Sequence, residues 1–321
     1  MVKTFNFVII TPARNEAQYI EATLRSMVAQ TRHPLKWIIV SDGSTDGTDE
    51  IVRKYLAGNP WIELLRMPER QERHFAGKVH AFTAGYESVR GLDFDIIGNL
   101  DADVSFDPDH FEFLIGKMRE TPQLGVAGAP FREGNSQYDF RFTSIENVWG
   151  GCQLFRRECY EAIGGYMPLK GGCIDHVAVL SARQHGWQTR TFTEKICQHH
   201  RQMGTALQGE VAAKFRVGVK DHFVGNHPLW ELFRTIYQMT RRPYVVGGLA
   251  MGVGYGWSLV APARTSVSPE LTAFVRREQM QRLKKLFGVK PREKSGELMP
   301  APIVPAGTSP RSSSNAGGDG R

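Results

Sequence analysis

Two carboxylates separated by one residue, Asp101-Ala102-Asp103, stand directly after the apolar run Asp95–Leu100. At a strand end such a pair offers hard oxygen donors to one divalent cation, or one carboxylate to a metal and the other to a ribose hydroxyl. Mg²⁺ and Mn²⁺ favour oxygen ligands of this kind together with substrate phosphates. Alone, Asp-x-Asp is equally a solvated turn. Three further segments add to it. Ser41-Asp-Gly-Ser-Thr-Asp-Gly-Thr48 has glycines for a tight turn and, in Asp42, an acceptor for a base N–H. Thr11-Pro-Ala-Arg-Asn-Glu16 brings the cation Arg14, and Gly77-Lys78 brings another near a helix start. Together they supply partners for a base, a ribose, two phosphates and a metal, the parts of a nucleoside diphosphate site.

The elements that must hold these segments follow from the periodicity. Phe5–Ile10, Trp37–Val40, Ile62–Arg66 and Asp95–Leu100 are apolar runs of strand length, and Glu16–Gln30, Thr45–Leu56 and His80–Val89 have helical spacing. This alternation predicts right-handed βαβ units and a mostly parallel sheet covered by helices. In such sheets ligands sit beyond the carboxyl ends of the strands, where all three Asp- or Asn-bearing segments fall. From Pro122 to Arg201 the pattern is mixed and rich in glycine. Leu229–Thr240 predicts an amphipathic helix. Ser268–Phe287 predicts another, with Ser268 as its cap, Pro269 in its first turn and Glu270 complementing its dipole.

The run Ile9–Glu16, the run Val40–Thr48, Gly77-Lys78 and Asp101-Ala102-Asp103 resemble, in order and spacing, the family-2 inverting glycosyltransferases of the GT-A fold, over about residues 5–200. Gly150–Arg156 and Ala162–Tyr166 resemble that family's acceptor-side segment. In Ile174-Asp175-His176-Val177 the family usually shows Glu-Asp-x-Asp; Ile174 and Val177 depart from it, while Arg183 and Gly186 follow Asp175 at the family's intervals. The resemblance implies an α/β GT-A catalytic domain over 1–205; the helical spacing that follows predicts a helical extension over 206–290 that can associate with a membrane, and the Pro-, Ser- and Gly-rich composition predicts a disordered tail over 291–321. The resemblance implies that Asp175 is the general base, deprotonating an acceptor hydroxyl that displaces a nucleoside diphosphate from a nucleotide-sugar with inversion. Pro12, Arg14, Glu16, Asp42, Lys78 and Asp101 would bind the nucleotide-sugar, expected to be a UDP-sugar, with Asp42 on the base and Arg14 and Lys78 near the diphosphate. Asp103 would hold Mg²⁺ or Mn²⁺. Of the adjacent pair His199-His200, His200 is the expected further metal ligand. The acceptor is expected to be a glycan or a lipid-linked glycan of cell-surface polysaccharide or glycolipid synthesis. Gln198-x-x-Arg201 resembles a signature of processive synthases, but Gln202 stands in place of its Trp, so a processive enzyme is not expected.

Simpler roles compete at several of these positions. Asp175 could cap the helix Val177–His185, Asp42 and Asp46 could be turn formers only, and Glu16 could serve the helix dipole. Trp149 and Tyr166 could stack on an acceptor sugar or belong to the core. A sugar-1-phosphate nucleotidyltransferase is an alternative, but its loop after the first strand should be glycine-rich, and Thr11–Glu16 contains no glycine. A nucleotide-sugar-binding protein without catalysis is another, kept open by Ile174 and Val177.

Composition sets the outer limits. The 321 residues are 41% hydrophobic and 23% charged, an ordinary globular composition, and the net charge of +7 favours anionic partners. A membrane surface is among the expected partners and nucleic acid is not. The four cysteines, Cys152, Cys159, Cys173 and Cys197, include no Cys-x-x-Cys pair, which predicts reduced thiols and no structural zinc site. The N-terminal apolar run reads as a strand and not as a signal peptide, so a cytoplasmic location is expected, peripheral to the inner face of the plasma membrane. Pro243–Ala263 runs 21 residues without a charge, long enough to span a bilayer. Its five glycines and two prolines, with Arg241, Arg242 and Arg264 flanking both ends, fit a re-entrant or interfacial segment or a buried hairpin as well.

Overall fold

The computed structural model describes residues 5–69, 76–133, 136–137, 144–169, 171–201, 209–260 and 267–288; the predicted tail 291–321 and Arg264 lie outside them. The first half alternates strand and helix: β1 (Phe7–Ala13), α1 (Ile20–Val28), β2 (Lys36–Asp42), α2 (Thr48–Leu56), β3 (Ile62–Met67), α3 (Ala76–Val89), β4 (Ile96–Leu100), β5 (Val104–Ser105) and α4 (His110–Glu120). Then come β6 (Leu124–Gly128), β7 (Phe131–Glu133), β8 (Ser136–Gln137), β9 (Cys152–Arg156), α5 (Arg157–Ala162), α6 (Ile174–Gln184), β10 (Gln188–Thr191) and β11 (Cys197–His199). Four helices follow: α7 (Glu210–Phe223), α8 (Pro228–Met239), α9 (Val246–Val260) and α10 (Pro269–Leu286).

Seven strands form the main sheet in the order β10-β6-β9-β4-β1-β2-β3. The pairs β1–β2, β2–β3, β1–β4 and β6–β10 are parallel, and β9 runs antiparallel between β4 and β6. The inner strands are buried along nearly their whole length because helices cover both faces. Period-two alternation sorts their side chains. Phe7, Ile9, Trp37 and Ile39 meet α1 and α4 on one face, while Val8, Ile10, Ile38 and Val40 meet α3 and α6 on the other. The chain leaves β1 toward β2 and β3, then returns to the far side of β1 as β4. The carboxyl ends of β1 and β4 therefore flank the crevice where such sheets bind ligands.

A second sheet, in the order β5-β11-β7-β8, stands beyond the end of β4. It pairs His199 with Val104 and Gln198 with Arg132, carrying a late segment of the chain onto Asp103.

Several boundaries differ from the sequence expectation. β1 runs on to Ala13, so Thr11-Pro12-Ala13 belong to the strand, Pro12 opposite Val40. α1 starts at Ile20; residues 16–19 form a turn in which Tyr19 and Ile20 N–H both donate to Glu16 O at 2.9 Å. α3 starts at Ala76, so Lys78 lies in a helical first turn. α6 starts at Ile174, and its cap is Cys173 at φ +63°, with no side-chain cap bond. The capping role considered for Asp175 is therefore corrected: Asp175 lies inside the first turn. α10 begins as predicted, with Ser268 Oγ accepting from Leu271 N–H at 3.2 Å.

Within the uncharged segment α9 is a helix of 15 residues, and no helix among the described residues is long and apolar enough to cross a membrane. Its glycines have a packing reason. A Cβ on Gly254 would lie 2.1 Å from Phe215 O of α7, and one on Gly218 of α7 would lie 1.9 Å from Met251 O. The two helices touch backbone to backbone at these glycines.

Candidate active site

The pocket at the carboxyl edge of β4 encloses about 220 Å³ and is lined by Lys78, Asn99, Asp101, Trp149, Gly150, Tyr166 and Asp175, among others. The loop before β9 makes room for Asp175. A Cβ on Gly150 would stand 2.4 Å from Asp175 Cβ and 2.5 Å from its Oδ2, so only glycine lets α6 bring its first turn this close. The same backbone is fastened to β4: Asn99 Nδ2 donates to Gly150 O (2.6 Å) and Asp101 N–H to Gly151 O (2.8 Å). Asp101 accepts from Lys78 Nζ (2.5 Å) and Asn99 Nδ2 (3.2 Å). Burial opposes the Lys78 ammonium, but Asp101, followed by Asp175 and Asp103, outweighs it and holds the lysine above its ordinary pKa. Lys78 thus feels three carboxylates at once, two of them in the wall of one pocket.

Beside this pocket lies a denser charge cluster. Asp103 is buried and receives Arg201 Nε at 3.0 Å, with His199 Nε2 at 3.6 Å. Arg201 also pairs with Glu16, and His199 Nδ1 lies 3.6 Å from Glu133. Burial works against the charged form of Asp103, yet His199 and Arg201 prevail and keep it below the ordinary carboxylate range. Burial likewise opposes the His199 imidazolium, and Asp103 overcomes it, raising that pKa. Glu16 goes the other way: burial, only partly offset by Arg201 and reinforced by Asp103 and Asp101, pushes it up to about 7. Trp149 is the shared wall, lining the pocket while its ring meets that of His199 edge-on at 5.5 Å.

Asp42 and Arg14 lie at the ends of neighbouring strands, 3.7 Å apart, with Asp42 buried. The loops after β1 and β2 are laced together. Asn15 N–H donates to Ser44 Oγ (3.1 Å), Thr45 N–H to Asn15 Oδ1 (2.9 Å), Glu16 N–H to Thr48 Oγ1 (2.8 Å) and Ala17 N–H to Asp46 Oδ2 (2.9 Å). Asp46 is accordingly a loop former. The predicted residues Pro12, Arg14, Glu16, Asp42, Lys78, Asp101, Asp103 and Asp175 thus all fall along one edge of one sheet.

The expectation for His200 is corrected. Its Nε2 is bonded to Ser105 Oγ at 2.8 Å, and its backbone N–H, not its ring, reaches Asp103 O at 2.9 Å. His199 is the histidine at the carboxylate, because strand alternation in β11 sends it to the same side as buried Cys197. That parity was a usable signal in the sequence. Glu133 and Asn99 carried no local signal of their roles, and Arg201 stood out only through the Gln198-x-x-Arg201 resemblance. Asp103 and Glu133 face opposite ring nitrogens of His199, so the three do not converge on one point; Asp103 with His199 Nε2 is the oxygen-and-imidazole pair that suits a hard divalent cation.

Tyr166 is core: its hydroxyl donates to Gln153 Oε1 at 2.8 Å and its ring packs on Phe82 at 4.9 Å. Arg183 holds Glu278 of α10 at 3.0 Å. The four cysteines form no disulfide. Contrary to the spacing argument, packing does gather a group of metal-ligand type: His110, Cys152 and Cys197, wholly buried, with ligand atoms within 4.8 Å of one another. The His110 Nε2 distances are 3.6 Å to Cys152 Sγ and 3.8 Å to Cys197 Sγ. Soft sulfur donors suit zinc better than the hard cations expected at Asp103.

Comparison with known proteins agrees with this geometry. The model of the family "Glycosyl transferase family 2" matches residues 8–168. A hyaluronan synthase from Pasteurella multocida is 32% identical over 230 residues, 67% of this chain and 22% of that protein; the chain therefore spans about a fifth of that relative's length. A mannosyltransferase from Pyrobaculum calidifontis, solved with GDP-Man and Mn²⁺, superposes with a TM-score of 0.53 at 19% identity, covering 89% of this chain and 83% of that one. GalNAc-T7, solved with UDP, GalNAc and Mn²⁺, gives 0.54 at 14% identity, covering 87% and 56%. At these identities the two structures support the GT-A fold.

Proposed function

This chain belongs to the family-2 glycosyl transferases, and from that premise we propose that it moves a sugar, with inversion, from a nucleotide-diphosphate donor to a hydroxyl of a glycan or lipid-linked acceptor in cell-surface polysaccharide or glycolipid assembly. The observation that carries the reading is the placement of Asp175 in the same pocket as the Lys78–Asp101 pair, against a backbone that Gly150 leaves open. Asp175 accepts the proton of the attacking hydroxyl as the bond to the leaving diphosphate breaks, on the face opposite the departing group. Lys78 and Arg14 offset negative charge on the diphosphate. Asp42 accepts from the base, for which a uracil N–H is the partner of choice. Trp149 closes the site on the side of His199 and excludes water from it.

Asp103 and His199 would hold a divalent cation, which when bound would offset charge on the nucleoside diphosphate as it leaves. The departures at Ile174 and Val177 do not speak for a non-catalytic protein. Both side chains are buried, Ile174 with the α3–α6 core and Val177 against Leu271 and Val275 of α10. Their apolar character serves packing, and Asp175 between them remains at the pocket. The nucleotidyltransferase alternative is set aside by the family.

Transfer and donor hydrolysis by wild type and Asp175→Asn test the assignment, across a donor set of UDP- and GDP-sugars. The expected result is a loss of about 10³-fold or more in kcat with donor binding intact and a product of inverted anomeric configuration. Equal nucleotide release by the variant, or a retained configuration, would remove it.

A further inference from the structure

The helix α9 is built inside out. Its small residues face the protein: Gly247, Gly248, Gly254 and Ser258 are buried against α7 and α8. Met251 and Tyr255 are buried with them, while its other large side chains face outward. Val246, Leu249, Val253, Trp257 and Val260 recur at helical spacing along one exposed stripe, with Trp257 64% and Val260 84% exposed. No charged residue interrupts it. Packed against α9, α8 exposes Leu229, Leu232 and Ile236 on its own outer face. A helix facing water alone would carry the reverse pattern, and exposed apolar area on this scale marks an interaction surface.

The charge around the stripe identifies the partner. From Leu232 to Pro269 there is no Asp or Glu, while Arg241 and Arg242 lie next to Tyr244 in that span; Arg234, also within it, is held by Asp221 and Glu231. Of the two acids that bound this span, Glu231 is buried and Glu270 is exposed in the first turn of α10. At the end of α10, exposed Lys284 and Lys285 sit beside exposed Leu286 and Phe287. Apolar side chains with Trp and Tyr among them, carrying no carboxylate of their own and followed by Arg241 and Arg242 at one end, match a bilayer interface rather than a protein patch: the acyl boundary takes the aliphatic groups, the headgroup layer takes Trp257 and Tyr244, and anionic lipid attracts the two arginines.

We propose that the outward face of α9, with that of α8, docks the enzyme onto an anionic lipid bilayer, α9 lying in the plane of the interface without crossing it. The inference does not depend on which sugar is transferred.

Flotation of the full chain with phosphatidylcholine vesicles, with and without phosphatidylglycerol, tests this. Binding to the anionic vesicles is expected, weakened by salt and accompanied by a blue shift in tryptophan emission that Trp257→Phe removes. Val253→Glu/Trp257→Glu should weaken binding about tenfold or more, with nucleotide release in solution and the thermal midpoint unchanged because both side chains already face outward. Should that variant unfold, Val253→Ser/Trp257→Ser provides the same comparison without new charge. Arg241→Ala/Arg242→Ala should remove the preference for phosphatidylglycerol. Absence of binding to either vesicle, or binding that the stripe variants leave intact, would overturn the proposal. So would a dimer in solution that the stripe variants dissociate while vesicles capture nothing.

Discussion

At the scale of single residues, the site depends on what stands next to each carboxylate. Asp101 and Asp103 are two positions apart in sequence, yet one is held by Lys78 and Asn99 and the other by His199 and Arg201. Asp175 depends on an absent side chain. Gly150→Ala would place a methyl group 2.4 Å from Asp175 Cβ, so the aspartate or the loop must yield. The expected outcome is a fall in kcat of about 10²-fold with donor affinity little changed, read by steady-state transfer and donor titration. The histidine assignment is separable in the same way. His199→Ala should abolish the rise in thermal midpoint produced by Mn²⁺ with UDP, because a ligand stabilises only through contacts it makes in the native state. His200→Ala, whose ring is bonded to Ser105, should keep that rise. The reverse result would restore the sequence expectation.

At the scale of elements, the departures from the family pattern around Asp175 become intelligible. α6 is sandwiched: one side joins the core under the sheet through Ile174, Ala178 and Val179, and the other meets α10 through Val177 and Leu180. Arg183 extends that junction to Glu278, and Arg282 of α10 reaches Glu146 before β9. An aspartate at 177 would bury a carboxylate among Leu271 and Val275. Val177→Asp, which restores the family residue, should therefore cost about 3 kcal/mol or more, measured by chemical denaturation. Between α7 and α9 the constraint is closeness. Gly254→Val must push a branched side chain into the α7 backbone, which cannot rotate away as a side chain could. A loss of about 3 kcal/mol is expected, and an unchanged midpoint would show that the helices do not meet as described.

At the scale of the whole molecule, buried charge gives stability a direction in pH. Glu231 of α8 is pushed up to about 7 by burial, with Asp221 of α7 adding to the effect and Arg234 opposing it. Its folded pKa thus exceeds the unfolded value of 4.5. Between those values the native state keeps a proton that the unfolded chain has released. Stability from this group is complete below about pH 4.5 and is lost as pH rises through about 7, by an amount on the order of 3 kcal/mol. Asp103, whose pKa is lowered, works in the opposite sense: its stabilisation is present above the unfolded carboxylate value and fades in acid. Glu231→Gln should accordingly raise the thermal midpoint at pH 8 and leave it nearly unchanged at pH 5. An equal gain at both values would show that Glu231 does not titrate as described.

Much of this protein is written in short-range pattern. Alternating apolar runs predict β1–β4 and their covering helices, and polar motifs at the ends of those runs mark the ligand edge, because strand and helix periods and turn chemistry act over a few residues. The serine cap and proline of α10 are legible for the same reason. Packing decided the rest, since it joins residues that no local pattern connects. β9 enters the sheet antiparallel, and β11 brings His199 to a carboxylate nearly a hundred residues earlier. Cys152 and Cys197 meet His110 despite spacing that argued against it. The uncharged segment 243–263 shows the division most plainly. Its composition fits burial as well as lipid, and only the glycine contacts with α7 and α8, which fix which face turns inward, determine that Val246, Leu249, Val253, Trp257 and Val260 face out while Met251 and Tyr255 face in.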